Sequence, residues 1–509
     1  MLTILPGIVI VVGKGIVSPL SFNASCNDYS FSYSILTKGS SMLHLPSFDL
    51  ADSMSTAETC IRHPHLVCLP LGLFAICLLV LLLVESADAG QPTKSTLVTY
   101  PAPTGIPASP DYSVEVNGQP LFVYNVKVQI NRHHPLTYMG FTSFDFTKPV
   151  TVKVTANTSM EHVVIRPKAR NIKPVINGNS ITFKLTNPCK ITIEPNGTDY
   201  NPLAIFAGTP EKEVANQLDP DVLYFGPGVH DAGVIELKDN ETVYLAGGAY
   251  VKGRFHGKNV SNVRIMGRGI LDRYTDDKNR SNFIGLENCK NVTIDGITLV
   301  NGAGWSVVPR MCQNLTIHDI KLITTGPNSD GIDLCSCQHV KIDDVFIRNW
   351  DDCIVLKAFK DQGDTRDVTV TNSVVWVDLA QGLEIGYELL CDKICDVLWQ
   401  NIDIIHTYHN SAIAIHNSGF ATVENIKYDD IRIEDVDPTF DHPDLSKTIR
   451  LFDFWICKST WTKEYGGQGK IRNITFNNIN VTTVGDVLPE TRVTGFDAEH
   501  NIDGITFKN

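Results

Sequence analysis

The chain has 509 residues, of which 43% are hydrophobic and 19% charged, and its formal net charge is −13. The hydrophobic fraction is too high for a disordered chain. The acidity argues against nucleic acid or an anionic membrane as the main partner, because both bind basic surfaces. The length admits two to four domains, or fewer if part of the chain is a repeat solenoid.

An apolar segment in the N-terminal region indicates export. Residues 66–84 form a nearly unbroken apolar run, and Ala87-Asp88-Ala89 offers the small residues that a signal peptidase prefers. We predict a leader over residues 1–89, with Met54 as a candidate true start, and a secreted, extracellular protein. The alternative is an uncleaved membrane anchor, since a run of 19 apolar residues can span a bilayer.

Sequons and cysteines add to this interpretation. Nine Asn-x-Ser/Thr sequons after residue 90 support secretion and glycosylation, at Asn157, Asn196, Asn240, Asn259, Asn279, Asn291, Asn314, Asn473 and Asn480. Nine of the 13 cysteines follow residue 90, so at least one is unpaired or bonded to another chain, while Cys391 and Cys395 could close a short loop. No set of His and Cys has zinc spacing, so we predict no metal and no cofactor.

Residues 90–205 consist of short segments with alternating apolar and polar side chains. Examples are Val150–Thr155 and Ile181–Leu185, and turn dipeptides such as Asn117-Gly118 and Asn177-Gly178 separate such segments. Strands at intervals of about ten residues predict a β-sandwich.

Residues 206–509 contain a repeat in which a polar residue precedes an apolar–x–apolar pattern. The polar positions are Asn262, Asn291, Asn314, His339, Asp367, Asp396, Asn425, Asn473 and Gly504. Periods of 20 to 50 residues without helical segments predict a parallel β-helix, with an insertion at about 435–469. The chain is therefore predicted to be all-β, with a small sandwich preceding the β-helix.

The repeat also aligns three cysteines. Cys289, Cys312 and Cys337 each lie two residues before a polar position, so they are predicted to stack on successive coils at about the ~4.8 Å strand spacing. Free, packed thiols are the preferred interpretation over disulfide bonds.

A second strand of each coil aligns a column of candidate functional residues. Aligning Gly304-Trp-Ser-Val, Gly331-Ile-Asp-Leu, Cys353-Ile-Val-Leu, Gly382-Leu-Glu-Ile and Ala412-Ile-Ala-Ile gives the column Ala303, Asp330, Asp352, Gln381 and Ser411. Asp330 and Asp352 thus occupy neighbouring coils, and Asp351 precedes Asp352 directly. Close carboxylates repel one another unless one stays protonated, and an inverting glycosidase needs a protonated acid beside a base. Alternatively, such aspartates bond backbone amides at turns.

These residues resemble a known family. Asn328-Ser-Asp-Gly-Ile-Asp333, followed by Asp351-Asp-Cys-Ile-Val-Leu-Lys357, is similar to the Asn-Thr-Asp and Gly-Asp-Asp-Cys segments of polygalacturonases, glycoside hydrolase family 28. The resemblance implies a right-handed parallel β-helix of the pectin-lyase type and hydrolysis with inversion. It also implies that Asp351 is the general acid and that Asp330 and Asp352 activate water.

Two positions depart from the family pattern. Gln381 stands where the family has the histidine of Gly-His-Gly, and Ala414-Ile415-His416 replaces Arg-Ile-Lys, whose cations bind the uronate carboxylate. A neutral glycan, or an acidic one bound by other residues, therefore fits the sequence better than a polygalacturonate, so a uronate substrate is not required. The layout of a sandwich before a β-helix also resembles the dextranases of glycoside hydrolase family 49.

Further side chains near the three aspartates are candidates for substrate binding. Tryptophan and tyrosine rings can stack on pyranose rings, and the polar side chains can bind hydroxyl groups or tune the acids. The candidates are Trp305, Asp333, Lys357, Gln381, Glu384, Tyr387 and His416.

Two alternative functions stay open. The altered residues at Gln381 and His416 are compatible with a catalytically inactive glycan-binding or scaffold protein. A polysaccharide lyase on the same fold is also compatible, although it needs a calcium site and an Arg or Lys base.

Overall fold

The computed structural model describes residues 96–130, 135–273, 282–436, 449–463, 468–482 and 489–508. Residues 94–509 form one compact unit. The predicted leader, with the 66–84 run and Met54, lies outside the described residues. Among the described residues, none of the helical segments is long and apolar enough to cross a membrane.

Eleven strands form two sheets that pack face to face. They are β1 (Leu97–Thr99), β2 (Tyr112–Val116), β3 (Gln119–Leu121), β4 (Tyr124–Val128), β5 (Thr137–Phe146), β6 (Val150–Ala156), β7 (Val163–Arg166), β8 (Val175–Asn177), β9 (Ser180–Leu185), β10 (Cys189–Pro195) and β11 (Leu203–Gly208). A short 3-10 helix, Lys168–Arg170, follows β7. The five-stranded sheet has the order β3-β2-β6-β9-β8, and the remaining strands form the six-stranded sheet.

Alternation of side chains builds this sandwich. In β6, Val150, Val152 and Val154 are buried in the core between the two sheets, whereas Lys153 is exposed. The turn between β2 and β3 is Asn117-Gly118, and both residues have positive φ, which matches the twist of a two-residue hairpin. The predicted sandwich is therefore present.

The remaining 26 strands belong to a parallel β-helix. The first half comprises β12 (Val222–Phe225), β13 (Gly228–Glu236), β14 (Thr242–Leu245), β15 (Ala249–Lys258), β16 (Arg264–Gly267), β17 (Ile270–Asp272), β18 (Ile284–Glu287), β19 (Lys290–Asp295), β20 (Thr298–Val300), β21 (Val307–Arg310), β22 (Gln313–His318), β23 (Lys321–Ile323) and β24 (Ile332–Cys335). The second half comprises β25 (Gln338–Asp343), β26 (Phe346–Asn349), β27 (Ile354–Ala358), β28 (Thr365–Thr371), β29 (Val374–Val377), β30 (Gln381–Leu389), β31 (Lys393–Thr407), β32 (Ser411–Asn417), β33 (Thr422–Ile433), β34 (Arg450–Ile456), β35 (Lys470–Val481), β36 (Glu490–Thr494) and β37 (Ile502–Lys508).

Each strand of the β-helix pairs in parallel with the corresponding strand of the next coil. We call the stack β18-β21-β24-β27-β30-β32-β34-β36 the cleft sheet, because it carries the candidate site. Val, Ile and Leu side chains fill the interior of the coils. The all-β fold with a parallel β-helix is thus confirmed, and parallel crossovers of this kind are right-handed in nearly all proteins.

The polar positions of the repeat form a column on the surface. Asn262, Asn291 and Asn314 have φ values of 59°, 54° and 57°, in the left-handed region that asparagine tolerates better than most residues. The Asn291 side-chain amide donates a hydrogen bond to Asn262 Oδ1 at 2.9 Å, and Asn314 donates to Asn291 at 3.0 Å. The strand register confirms the predicted spacing through to Gly504.

The cysteine column is also present. Cys289, Cys312 and Cys337 lie on successive coils, and all nine described cysteines are free thiols, including Cys391 and Cys395. The predicted insertion at about 435–469 contains a regular strand of the cleft sheet, β34, so the additional residues lie on either side of it.

The sandwich packs on another face of the β-helix. Phe141 and Phe206 of the sandwich contact a row of β-helix side chains that includes Phe346 and Trp376. A cluster of buried charges joins the same two regions, because Arg166 binds Glu194 of the sandwich and Glu434 of the β-helix, each at 3.0 Å. The predicted division between residues 205 and 206 stays a prediction, since 94–509 form one unit.

Candidate active site

Three strands of the cleft sheet position the central column. Asp330 lies just before β24, Asp352 just before β27, and Gln381 begins β30. The Gly331 N–H donates to the Asp352 carbonyl at 2.8 Å, and the Cys353 N–H donates to the Gln381 carbonyl at 2.9 Å. The predicted register of these residues is therefore confirmed. A Cβ at Gly331 would overlap the Cys353 carbonyl, so glycine permits the close approach of these coils.

The three aspartates converge. One carboxylate oxygen each from Asp330, Asp351 and Asp352 lies within 4.8 Å of the other two. Three oxygens at this separation could also hold a cation. Inverting enzymes commonly have their two carboxyl groups ~6.5–9.5 Å apart and retaining enzymes ~5–5.5 Å apart.

Burial and mutual repulsion make these acids hold protons tightly. Asp330 is 3% and Asp352 9% exposed, whereas Asp351 is half-buried. Burial raises the pKa of Asp330 well above its usual value, and Asp333 adds to the rise. Burial likewise raises the pKa of Asp352, with a contribution from Glu384. Asp330 and Asp352 therefore titrate as members of one interacting group and not independently.

One buried cation compensates part of this negative charge. Lys357 Nζ lies 3.3 Å from Asp330 Oδ2, 3.0 Å from Asp333 Oδ1 and 4.0 Å from Glu388 Oε2. Burial alone would lower the pKa of Lys357, but these carboxylates raise it well above the usual value. For Asp333, burial raises the pKa to about 6 in spite of Lys357. Lys357 is thus an ammonium ion at neutral pH.

Lys357 also supports a candidate sugar platform. Its Nζ lies 3.7 Å from the centre of the Trp305 ring, a cation–π contact. The sequence alignment placed Trp305 beside Ile332, but Val307 pairs with Ile332, so Trp305 stands in the column of Asp330. A shift of two residues leaves the inward and outward alternation unchanged, which is why the pattern did not reveal it.

Trp305 lines a cavity of about 490 Å³. Other lining residues were not singled out in the sequence, namely His256, Arg310, Asn328, Glu388 and Trp461. Asn328 belongs to the quoted motif and could have been found there. Trp461 lies within the predicted insertion, where no repeat position indicates its placement.

A second charged group lies beside the cavity. His416 Nδ1 is 3.0 Å from Glu384 Oε1, and His416 Nε2 is 3.2 Å from Asp453 Oδ2. Burial would lower the pKa of His416, but Glu384 and Asp453 raise it to about 9. His416 is 1% exposed and stacks at 4.4 Å on Tyr387, whose ring is 5.2 Å from Trp461. His416 was predicted to bind substrate, and in the structure Tyr387 stacks over it.

Three further residues that were predicted to bind substrate are also buried. Asp333 and Glu384 are fully buried, so neither side chain faces solvent. Gln381 is 5% exposed and its N–H donates to Asp352 Oδ1 at 3.1 Å. Of the seven residues predicted to bind substrate, Trp305 and Tyr387 have partly exposed side chains.

Comparison with known proteins agrees with this geometry. Residues 233–483 match the family Glycosyl hydrolases family 28. This segment is a glycosyl hydrolase family 28 domain. It contains the three aspartates and the whole of the cleft sheet from β18 to β34.

Individual relatives match over shorter stretches. A probable polygalacturonase of Vitis vinifera is 33% identical over 142 residues, which cover 28% of this chain and 25% of the relative. A probable endo-xylogalacturonan hydrolase A of Aspergillus fumigatus is 25% identical and covers 34% and 45%. The chain thus spans less than half the length of these relatives.

Solved structures show similarity over longer stretches. Dex49A from Penicillium minioluteum is 16% identical, with 81% of this chain and 96% of that chain covered and a TM-score of 0.49. The polygalacturonase from Erwinia carotovora ssp. carotovora is 15% identical, with 55% and 87% covered and a TM-score of 0.40.

Proposed function

We propose that this family 28 domain hydrolyses glycosidic bonds in a polysaccharide, with Asp330, Asp351 and Asp352 as the catalytic residues. The observation that carries the proposal is the convergence of three carboxylate oxygens within 4.8 Å beside a cavity with aromatic residues. Glycosidases commonly use carboxylic acids that lie in a cleft and have perturbed pKa values.

Each aspartate has a role in the proposed reaction. Asp351 protonates the glycosidic oxygen of the leaving sugar, while a water molecule held by Asp330 and Asp352 attacks the anomeric carbon and gives up its proton to one of them. In this proposal Asp351 enters the reaction protonated, and the raised pKa of Asp330 and of Asp352 makes each ionised carboxylate a stronger acceptor of the proton that the water gives up. Attack from the face opposite the leaving group inverts the anomeric configuration.

We further propose that the substrate chain is neutral. Among the described residues, Lys357 contacts three carboxylates and His416 contacts two, so neither is free to bind a substrate carboxylate, while Arg310 lies on the cavity wall against the ring of Phe359. Ala414 has no charge to offer where the family has arginine. A uronate carboxylate at this place would meet protein carboxylates without a free cation, which costs binding energy. In this proposal, Trp305 and Tyr387 stack on sugar rings.

The first test compares the unchanged protein with an Asp351→Asn variant on dextran, pullulan and polygalacturonate. We expect reducing ends from a neutral glycan, and a loss of about 10²–10⁴-fold in rate for Asp351→Asn, because the general acid is removed. Asp503→Asn, which changes an exposed aspartate on the last coil, is the matched control and should keep full activity.

The product identifies the reaction. NMR of the first product formed should show the anomer opposite to that of the substrate, and retention would contradict the proposed mechanism. An unsaturated product absorbing in the ultraviolet would indicate a lyase instead, although Lys357 is held as an ammonium ion and is a poor base. An unchanged protein without activity on any glycan would favour the scaffold function.

We also propose that the protein is secreted, as the apolar run at 66–84 predicts. N-terminal sequencing of material from the culture medium should begin at Gly90. Membrane-bound material that retains residues 66–84 would instead support an anchor.

A further inference from the structure

Charge is distributed unevenly between the two regions of the molecule. Residues 96–208, which hold the sandwich, have ten Lys and Arg against six Asp and Glu, a net charge of +4. Residues 209–509, which hold the β-helix, have 29 against 44, a net charge of −15. Such an asymmetry between parts of one chain indicates a basic surface with an acidic partner.

Five of the ten basic residues of the sandwich lie at two defined locations. Arg166 and Lys190 are buried in ion pairs with residues of the β-helix and therefore serve the packing of the two regions. Three others line a surface groove of about 670 Å³ beside β9, namely Arg170, Lys173 and Lys184. We call this cavity the basic groove.

The lining of the basic groove has the composition of a binding site. Its 14 lining residues contain those three cations and no Asp or Glu. Lys173 and Lys184 are exposed, and Thr182 and Asn187 add groups that can bind hydroxyls. Arg170 contacts Asp403 at 3.3 Å through one terminal nitrogen, and its Nε has no hydrogen-bond partner among the described residues. A pocket of this volume can bury most of the surface of a small ligand.

We propose that the basic groove binds a carboxylated polysaccharide, a polyuronate, at a site separate from the cleft. A uronate residue offers a carboxylate that matches a guanidinium fork and lysine ammonium groups, and its ring can pack on the apolar part of the lining, which includes Ile172 and Val175. The one aromatic residue of the lining, Phe183, is 3% exposed. The groove thus lacks the exposed ring on which nucleic-acid bases stack.

This site would give the protein two glycan specificities. Lys357 in the cleft contacts three carboxylates, whereas Lys173 and Lys184 in the groove have no Asp or Glu among the lining residues around them. The groove would hold the protein on an acidic matrix without cleaving it. The inference does not depend on hydrolysis in the cleft and is tested by binding alone.

Affinity electrophoresis of the full chain in gels containing polygalacturonate tests the proposal. We expect retardation that weakens with added salt and about tenfold weaker binding for the variant Lys173→Glu/Lys184→Glu, because two attractive contacts become repulsive. The control Lys127→Glu/Lys212→Glu makes the same charge change outside the groove and should bind like the unchanged protein.

A second measurement locates the ligand. Cys189 lines the groove as a free, half-buried thiol, so polygalacturonate should slow its alkylation in mass spectrometry, whereas dextran should not. Any of three results would overturn the proposal. The two charge variants could lose binding equally, the groove variant could lose no binding, or dextran could retard the protein as much as polygalacturonate does. Binding of DNA as tight as that of polygalacturonate would show a general polyanion surface and would overturn it as well. Asp351→Asn should bind polygalacturonate unchanged, which separates this result from the outcome in the cleft.

Discussion

Two clusters of buried charges lie on different faces of the β-helix and differ in the balance of their charges. In the cleft, Asp330 and Asp352 share the cation Lys357 with further carboxylates, and the pKa of both aspartates is raised. At the contact with the sandwich, Glu194 is equally buried but lies against both Arg166 and His406, and its pKa is lowered. Burial is therefore common to both clusters, and the two cations beside Glu194 reverse its effect, whereas Glu434 at the same interface keeps a raised pKa in spite of Arg166.

The difference in pKa between Asp330 and Glu194 indicates which cluster has a chemical role. A carboxylate with a lowered pKa stays ionised and stabilises the fold, whereas one with a raised pKa can exchange a proton near neutral pH. The interface cluster is thus expected to affect stability, and the cleft cluster to affect activity. Variants in each cluster can confirm or contradict this distinction.

The largest effect is expected from Lys357→Met. Without the ammonium group, the pKa of Asp333, about 6 in the unchanged protein, rises further, as does that of Asp330. The acidic limb of the pH–rate profile, set by carboxylates that must ionise, should move to higher pH. The rate at neutral pH should fall by about 10²-fold or more. Lys357→Arg should restore part of the shift, and Lys341→Met, at an exposed lysine, should change neither. An unmoved pH profile for Lys357→Met would contradict the role of this cation.

The second effect concerns stability. Arg166→Met leaves Glu194 and Glu434 without their shared cation, and breaking a buried ion pair commonly costs about 3–5 kcal/mol. Urea unfolding should show this loss. Arg264→Met breaks an exposed pair with Glu213 and should cost less than about 1 kcal/mol. Equal costs for the two variants would show that the interface cluster adds no special stability.

The third effect is on substrate affinity. Trp305→Ala removes a ring beside the cavity, and KM for a neutral glycan should rise about tenfold with a smaller change in kcat. Tyr138→Ala, which removes an exposed ring from the sandwich, serves as the control. A KM that does not change would exclude stacking at Trp305.

The smallest effect is expected where no buried charge is involved. Asn262 has φ of 59° and its side chain bonds both Asn240 and Asn291. Asn262→Gly loses the side-chain bonds only, about 1 kcal/mol, whereas Asn262→Ala adds about 1–2 kcal/mol of left-handed backbone strain. Chemical denaturation of the pair should show this difference. Equal stability of the two variants would mean that the backbone relaxes at this position.

Sequence patterns predicted the features that repeat. The polar column, the thiol column and the alignment of Asp330 with Asp352 all follow from a period that recurs along the chain, so they were accessible without coordinates. The neighbours of Asp351 also matched a family motif.

Features that depend on single, non-repeating contacts were not accessible. Arg166 and Glu434 are separated by 268 positions in the chain, so no local pattern joins them. Trp305 was displaced by two residues because alternation does not distinguish shifts of even number. Tyr387 covers His416 through a contact between adjacent coils that composition does not indicate.

The thiols of the cysteine column can report local opening of the β-helix. The hydrogen bond with Cys289 lowers the pKa of Cys312, but the bond with Cys337 and burial together raise it to about 12, so this thiol should resist alkylation in the native state. Cys289, Cys312 and Cys337 are spaced along the axis of the β-helix, one coil apart. Their labelling rates, measured residue by residue, would therefore show whether the coils separate one at a time from an end or open together.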